Sequence, residues 1–255
     1  MLKEWIEHPL TRGLDLDDPR TTDLRRQVIQ RKPFLRSIYV DWYSQIAEAL
    51  PESGGSVLEI GSGPGFLGEF VSGLITSDMF CSPGVRVVLD ALHLPFAAGT
   101  LRGIAMTNVL HHVPDPRRFF SEAVHCVRPG GAIVMIEPWV TPWSRVIYKC
   151  LHHEPFDPEA KNWAFPSTGP LSGANGALPW ILFERDRACF EQEFPQWSIE
   201  LIAPLMPFQY IVSGGVSLRS LMPGWSAGLW RYLEKLVEGE RGGMAMFARI
   251  VVRRL

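Results

Sequence analysis

The residues with the clearest chemical signature form a glycine-rich segment in the first third of the chain. The mostly apolar residues 56–60 lead directly into three glycines at alternate positions, Gly61, Gly63 and Gly65. Because a glycine has no Cβ, such a loop lets a ligand approach the backbone closely. Apolar residues at helical spacing follow over residues 66–74. A strand that ends in glycines and opens a helix predicts a site for either a dinucleotide or S-adenosylmethionine.

The residues around the loop distinguish these two cofactors. In the frame set by the strand, a dinucleotide loop needs its third glycine at position 66, where the ring of Phe66 would crowd the contact between helix and strand. Glu59, two residues before the first glycine, fits an S-adenosylmethionine loop better. We therefore favour S-adenosylmethionine and keep an NAD(P)-dependent oxidoreductase as the alternative.

An acidic residue follows where the ribose of a nucleoside would be bound. A carboxylate at the end of the second strand can accept hydrogen bonds from both ribose hydroxyls, and it is expected roughly 20 residues after the first glycine. Asp78 lies 17 residues after Gly61. We therefore expect Asp78 to bind the ribose, the alternative being an aspartate that only caps its own loop.

Further segments extend this pattern along the chain. Four of them occur in the order 89–96 (LDALHLPF), 106–113 (MTNVLHHV), 114–116 (PDP) and 128–131 (RPGG). Together with the glycine loop, they make residues 57–137 resemble the core of the class I S-adenosylmethionine-dependent methyltransferases. Within that class the sequence is closest to the ubiquinone/menaquinone-methylase-like branch.

The resemblance implies a set of contacts with S-adenosylmethionine. Asp90 would reach the adenine amino group, residues 108–109 would lie near the sulfur, and the glycines would admit the aminocarboxypropyl end. The cofactor-binding residues predicted on this basis are Glu59, Gly61, Ser62, Gly63, Gly65, Asp78, Met79, Asp90, Ala91, Leu92, Asn108 and Val109.

The order of elements predicts the fold class. Strands alternate with helical periods from residue 56 to residue 137, which is typical of an α/β protein with a parallel sheet. The resemblance implies a Rossmann-like three-layer sandwich whose seven-stranded, mostly parallel sheet has an antiparallel last strand. Residues 1–50 are predicted to form an N-terminal helical cap and residues 51–255 the methyltransferase core. Within that core, the tryptophan-rich residues 138–197 are predicted to be a substrate-side insertion.

Two groups of histidines could do chemistry. His111 and His112 lie at the mouth of the predicted cofactor site, where a histidine can act as a general base, and His112 is the better candidate. The alternative is that both only shape the pocket. His152 and His153 lie near Glu154 and Asp157, but their spacing is not that of a metal motif, and the sequence predicts no metal site.

The composition excludes other classes of protein. With 25 basic and 27 acidic residues the net charge is −2, so no global field would attract nucleic acid. Four scattered cysteines favour the reducing cytoplasm over a disulfide scaffold, and we expect no integral membrane segment. We expect methyl transfer to a small molecule or to a sugar or lipid precursor, with the acceptor atom and oligomeric state open. A second alternative is a non-catalytic S-adenosylmethionine-binding protein.

Overall fold

The computed structural model describes residues 8–10, 18–52, 54–151, 154–167, 169, 173–237 and 243–255. Its helices are α1 (Pro19–Arg31), α2 (Pro33–Ala49), α3 (Pro116–Cys126), α4 (Pro142–Leu151), α5 (Leu178–Trp180), α6 (Arg187–Glu193), α7 (Gln209–Ser213) and α8 (Ala227–Val237). Its strands are β1 (Ser56–Ile60), β2 (Leu74–Asp78), β3 (Val87–Val88), β4 (Leu101–Thr107), β5 (Val127–Pro138), β6 (Trp197–Leu205) and β7 (Phe247–Arg254). Among these described helices, none is both long enough and apolar enough to cross a membrane.

The seven strands of the described residues form one sheet in the order β3-β2-β1-β4-β5-β7-β6. Strands β1 to β5 pair in parallel, whereas β7 runs antiparallel to both β5 and β6. The chain leaves β1 toward one edge of the sheet and returns to β4 on the other side of β1. The loops after β1 and β4 therefore diverge at a topological switch point, where open α/β sheets bind ligands. The predicted sheet, with its antiparallel last strand, is confirmed.

Alternating side chains of the central strands supply two apolar cores, one on each face of the sheet. On β4, Ile104 and Met106 face a core whose other wall is α3 together with residues 178–194. Ala105, which lies between them, faces the second core, where Trp42 of α2 is fully buried. Helices thus cover both faces, and the predicted three-layer arrangement is confirmed.

The helix predicted over residues 66–74, all of which the structure describes, does not form, so this prediction is wrong. The chain makes a single 3₁₀ turn, Leu67–Glu69, before β2 begins. The spacing of the apolar residues has another cause. Phe66 and Phe70 pack against Tyr43 of α2, with ring centroids 4.9 and 5.9 Å apart respectively. Phe66 therefore packs against α2, and no crossover helix forms at this position.

Helix α2 covers the face of the sheet that this short connection leaves open. The connection from β2 to β3, residues 79–86, is described throughout and also contains no helix. Trp42 of α2 shares a core with Val57 of β1 and Leu74 of β2. The helix therefore packs as part of the core, and the domain boundary proposed at residue 50 stays a prediction.

The tryptophans of residues 138–197 lie in separate places. Trp163 and Trp197 are buried in the core below α3. Trp139 and Trp180 line a cavity of about 540 Å³ beside β6, and the described residues that line it include no part of the glycine loop. The tryptophans of this segment thus contribute largely to packing. The function of residues 138–197 as a substrate-side insertion stays a prediction.

At the end of the sheet opposite the glycine loop, the guanidinium group of Arg102 connects the segment before β1 to the segment before β2. It donates hydrogen bonds to the carbonyl oxygens of Gly55 at 3.0 Å, of Ser72 at 2.9 Å and of Pro51. Only 7% of the Arg102 surface is exposed. Hydrogen bonds from a charged donor are stronger than those from a neutral one, so their loss costs free energy.

We therefore predict that Arg102→Met lowers the free energy of unfolding by about 2–3 kcal/mol, since charged hydrogen bonds to backbone carbonyls are lost. Urea denaturation followed by circular dichroism measures the change. The control is Arg187→Met, which removes an exposed ion pair with Glu191 and is expected to cost under about 0.5 kcal/mol. Equal denaturation midpoints for the two variants would contradict the function assigned to Arg102.

Candidate functional site

The glycine loop after β1 has a backbone that only glycine adopts easily. Gly61 and Gly63 have positive φ angles of +66° and +42°, a region that side chains disfavour. The N–H of Gly63 donates to Oδ2 of Asp78 at 2.9 Å. The end of β2 thus holds the loop in place, and the two residues predicted from spacing are brought into contact.

A second reason for glycine at position 61 is the turn that follows β4. A Cβ on Gly61 would lie 2.5 Å from Cγ2 of Val109, far inside van der Waals contact. Asn108, just before it, has a φ of +56°, which asparagine tolerates better than most residues. The loops after β1 and β4 therefore meet at the switch point, where the sequence predicts the region near the cofactor sulfur.

The N-terminal helices bring two more side chains to the loop. A Cβ on Gly65 would collide with the hydroxyl group of Tyr43 and would lie 3.5 Å from Oε1 of Glu59. From α1, Arg26 donates through Nη2 to the carbonyl oxygen of Gly63 at 2.9 Å. Gly65 is therefore required by the approach of α2, and α1 supplies a cation beside the loop.

The remaining predicted cofactor residues lie at the same edge of the sheet. Asp78 accepts a second backbone hydrogen bond, from Phe80 at 3.1 Å, so it also does what the loop-capping alternative requires. A carboxylate offers about four acceptor positions, which leaves capacity for a ribose. Asp90 follows β3 and accepts from the N–H of Leu92 at 2.8 Å. These assignments stay predictions.

The predicted contacts next to these acids differ in exposure. Ser62 is buried, and its Oγ accepts from the N–H of Ser77 at 3.0 Å, so its side chain is engaged with β2. Met79 is 43% exposed at the end of β2, whereas Ala91 is buried against the sheet. Of these three residues, Met79 has the side chain most accessible to a ligand.

A buried carboxylate at the end of β5 organises the turn after β4. Glu137 has no exposed surface. Its Oε1 accepts from the N–H groups of Val109 at 2.7 Å and Leu110 at 2.8 Å, and its Oε2 lies 2.7 Å from Nδ1 of His111. Three hydrogen bonds with one short turn compensate the burial of the charge.

The structure brings Glu154 to the two predicted histidines. Its carboxylate lies 3.5 Å from Nε2 of His111 and 3.8 Å from Nε2 of His112. Of the residues weighed with Glu154 in the sequence, His152 and His153 lie outside the described residues. The contact therefore joins the 3₁₀ turn after β4 to the segment that follows α4.

The two histidines have opposite protonation preferences. Burial alone would lower the pKa of His111, but hydrogen bonds with Glu137 and Glu154 outweigh it and raise that pKa to about 9. Burial, followed by repulsion from His111, lowers the pKa of His112 to about 4. At neutral pH His112 is the one in the proton-accepting form. The function of either as a general base stays a prediction.

Residues 173–175 pack directly over this pair. The N–H of Asn175 donates to the carbonyl oxygen of His111 at 2.9 Å, and Nδ1 of His112 lies 3.2 Å from the carbonyl oxygen of Gly173. The His112 side chain is 14% exposed and that of Glu154 16%. His111, His112 and Glu154 thus form a mostly buried cluster, which we call the histidine recess.

Four residues at this edge were missed as site residues by the sequence analysis: Arg26, Tyr43, Glu137 and Glu154. For Glu137 a signal existed, because it is a charged residue at the end of an otherwise apolar strand. The other three come from segments outside the sequence pattern of the loop. Their spacing to the glycine loop carries no information, so only the folded chain connects them.

Comparison with known proteins agrees with this architecture. Residues 58–135 match the family model described as a methyltransferase domain. An uncharacterised methyltransferase of Mycobacterium sp. (strain JLS) is 32% identical over 125 residues, which cover 42% of this chain and 48% of the relative. The chain spans about half the length of the curated relatives that it matches first.

Solved structures resemble the whole fold. Geranyl diphosphate C-methyltransferase from Streptomyces coelicolor A3(2), in complex with Mg²⁺, geranyl diphosphate and S-adenosyl-L-homocysteine, gives a TM-score of 0.52 at 16% identity. The match covers 98% of this chain and 91% of that one. A geranyl diphosphate methyltransferase in complex with S-adenosylmethionine gives 0.51 at 13% identity, over 96% and 94% of the two chains. At such identities the likeness shows the fold.

Residues 58–135 are therefore a class I methyltransferase domain, and S-adenosylmethionine is the cofactor of that class. The class and the cofactor predicted from the sequence are confirmed. The ubiquinone/menaquinone-methylase-like branch and the individual contact residues stay predictions.

Glu59 makes the stability of the fold depend on pH. Burial raises the pKa of Glu59 from 4.5 to about 7, the Asp78 charge adds to this, and a hydrogen bond from Ser62 opposes it. Below the ordinary value, folded and unfolded chains both bind the proton. As the pH rises toward 7, the unfolded chain releases it more readily, so the stability that Glu59 contributes is lost in this window.

We predict that the unfolding free energy of the protein falls relative to that of Glu59→Gln between about pH 5 and pH 7, because glutamine does not titrate. Urea denaturation of both proteins at several pH values measures the difference. The exposed Glu52→Gln variant is the control and should follow the unmodified protein. A difference that is constant across this range would contradict a raised Glu59 pKa.

Proposed function

We propose that the protein is an S-adenosylmethionine-dependent methyltransferase that acts on a small molecule, including one with a sugar or lipid part. The observation that carries the proposal is the meeting of the two loops at the switch point, with Gly61 under Val109. Beside it, the backbone of Gly63 is bonded to Asp78. This is the position at which an α/β sheet binds a nucleoside ligand.

The residues at this edge fit the parts of the cofactor. The loop from Gly61 to Gly65 would hold the aminocarboxypropyl end, with the carboxylate of Glu59 near its ammonium group and the cation of Arg26 near its carboxylate. Asp78 would bind the ribose and Asp90 the adenine edge. Opposite charges at the two ends of this group would fix its orientation.

The cofactor supplies a methyl group on a sulfonium, which is already activated for transfer. The tasks left to the chain are to align the acceptor and to exclude water. The burial of His112 and Glu154 in the histidine recess supports both tasks. His112 is predominantly neutral near pH 7 and is the candidate to accept a proton from an acceptor group.

Two observations favour a small acceptor over a polymer. The net charge of −2 gives the chain no general attraction for nucleic acid. The histidine recess lies beneath residues 173–175, where the N–H of Asn175 donates a hydrogen bond to the carbonyl oxygen of His111. A molecule that reaches the recess must pass this cover, which suits a compact acceptor or the end of a longer one.

Cofactor binding tests the first half of the proposal. We predict that calorimetry detects binding of S-adenosylmethionine and S-adenosylhomocysteine but not of NAD or NADP. Asp78→Ala should weaken the binding of both at least about tenfold, because charge-assisted hydrogen bonds to the ribose are lost. Glu191→Ala, which removes an exposed acid on α6, is the control and should bind as the unmodified protein does. Binding of a nicotinamide nucleotide alone would establish the oxidoreductase alternative.

Methyl transfer tests the second half. With methyl-labelled S-adenosylmethionine and a panel of hydroxylated, amino and lipid-linked acceptors, we predict label in at least one product. His112→Ala should retain S-adenosylhomocysteine affinity while slowing transfer by about 10²-fold or more, the usual contribution of a general base. Cofactor binding without transfer across the panel would favour the non-catalytic binding protein.

A further inference from the structure

Three side chains with metal-ligating atoms converge in the recess beside the predicted cofactor site. They are His111, His112 and Glu154, and one ligand atom from each lies within 4.8 Å of the others. Of all the described residues, these form the one group of three or more histidine, cysteine or acidic side chains that meets this criterion. The cluster joins residues 43 positions apart in the chain, so folding creates it.

The hydrogen bonds of the two histidines direct the same nitrogen of each ring toward Glu154. Nδ1 of His111 lies 2.7 Å from the Glu137 carboxylate, and Nδ1 of His112 lies 3.2 Å from the carbonyl oxygen of Gly173. Both partners are acceptors, so Nδ1 is the donor in each ring. A metal-binding histidine typically donates its second ring N–H to a carboxylate or a backbone carbonyl in this way.

The distances fit a single ion between the three side chains. Two ligands of a tetrahedral ion at ~2.0–2.1 Å lie about 3.3–3.4 Å from each other. The carboxylate of Glu154 lies 3.5 Å from Nε2 of His111 and 3.8 Å from Nε2 of His112. The first distance ends on Oε2 of Glu154 and the second on Oε1, and one ligand atom from each of the three residues lies within 4.8 Å of the others. Rotation of these side chains would bring the atoms to ligand spacing.

The ligand types select the class of ion. Imidazole nitrogens bind Zn²⁺, Co²⁺ and related transition metals well, whereas Mg²⁺ and Ca²⁺ prefer sites made of oxygen atoms alone. Two imidazoles and one carboxylate form a frequent three-ligand set, which leaves at least one coordination position for water or a substrate atom.

We infer that His111, His112 and Glu154 form a binding site for one divalent transition-metal ion of the Zn²⁺ type. Glu137 and Gly173 orient the two imidazoles as its outer hydrogen-bond acceptors. When the ion binds, the proton on Nε2 of His111 is released to solvent. The sequence analysis predicts no metal site, so this inference departs from it. It is independent of cofactor binding at the glycine loop, but it competes with the general-base assignment. A metal ion on Nε2 of His112 would occupy the position of the proton that this side chain is proposed to accept.

Metal binding by the purified full chain, without an affinity tag, tests the inference. After dialysis against a chelator, the protein is titrated at neutral pH with Co²⁺ and Zn²⁺. Visible absorption reports the coordination of Co²⁺, and equilibrium dialysis with elemental analysis gives the Zn²⁺ stoichiometry. We expect about one ion per chain and an affinity reduced at least about 100-fold in Glu154→Gln and in His112→Asn.

The matched controls are Glu159→Gln and His125→Asn, which change exposed side chains of the same types and should bind the ion like the unmodified protein. Thermal unfolding of each metal-free variant checks that it is folded. If the unmodified protein binds no stoichiometric ion, or if both ligand variants bind as well as the controls, the inference is overturned. The group would then be a buried His111 cation between two carboxylates.

S-adenosylhomocysteine titration of the metal-free protein separates this result from the proposed function. The glycine loop contributes no ligand to the ion, so we expect the metal-free protein to retain its affinity for S-adenosylhomocysteine. If the unmodified protein binds S-adenosylhomocysteine but no metal ion, the metal site alone is overturned. Metal binding without cofactor binding would support the metal site and overturn the methyltransferase proposal.

Discussion

The geometry of the loops at the carboxyl ends of the strands depends on one buried carboxylate. Glu137 has no exposed surface, and a charge in that position is tolerated only when hydrogen-bond donors surround it. The turn after β4 supplies the three recorded donors, Val109, Leu110 and His111. One side chain of β5 thereby fixes the path of the neighbouring loop, the position of Val109 against Gly61 and the orientation of the His111 ring.

The shortened connections on one face of the sheet have a related consequence. Because no helix follows the glycine loop, α2 packs there instead, and Tyr43 reaches the position that a Cβ on Gly65 would need. Helix α1 adds Arg26, which donates to the loop. The candidate cofactor site is therefore shared between the matched methyltransferase segment, residues 58–135, and helices that lie outside that match.

The sequence predicts the parts of this structure that depend on local pattern. Alternating apolar periods and the glycine spacing predict the sheet, the switch point and the loop, since these features are set by residues close together in the chain. The helix at residues 66–74 fails for an instructive reason. Phe66 and Phe70 are four positions apart because both contact Tyr43, and a contact with an outside helix produces the same spacing as a helix itself.

His111 and His112 converge on one site although they are adjacent in the chain, and the reason is physical. Adjacent residues of an α-helix point about 100° apart, so neighbouring histidines are a poor basis for a shared site. These two lie in a 3₁₀ turn, where each ring is held by a different outer acceptor and the ring centroids are 4.2 Å apart. Glu137 holds one ring and Gly173 the other. Whether two adjacent histidines contribute to one site therefore depends on their hydrogen-bond partners, which lie 26 and 61 residues away in the chain.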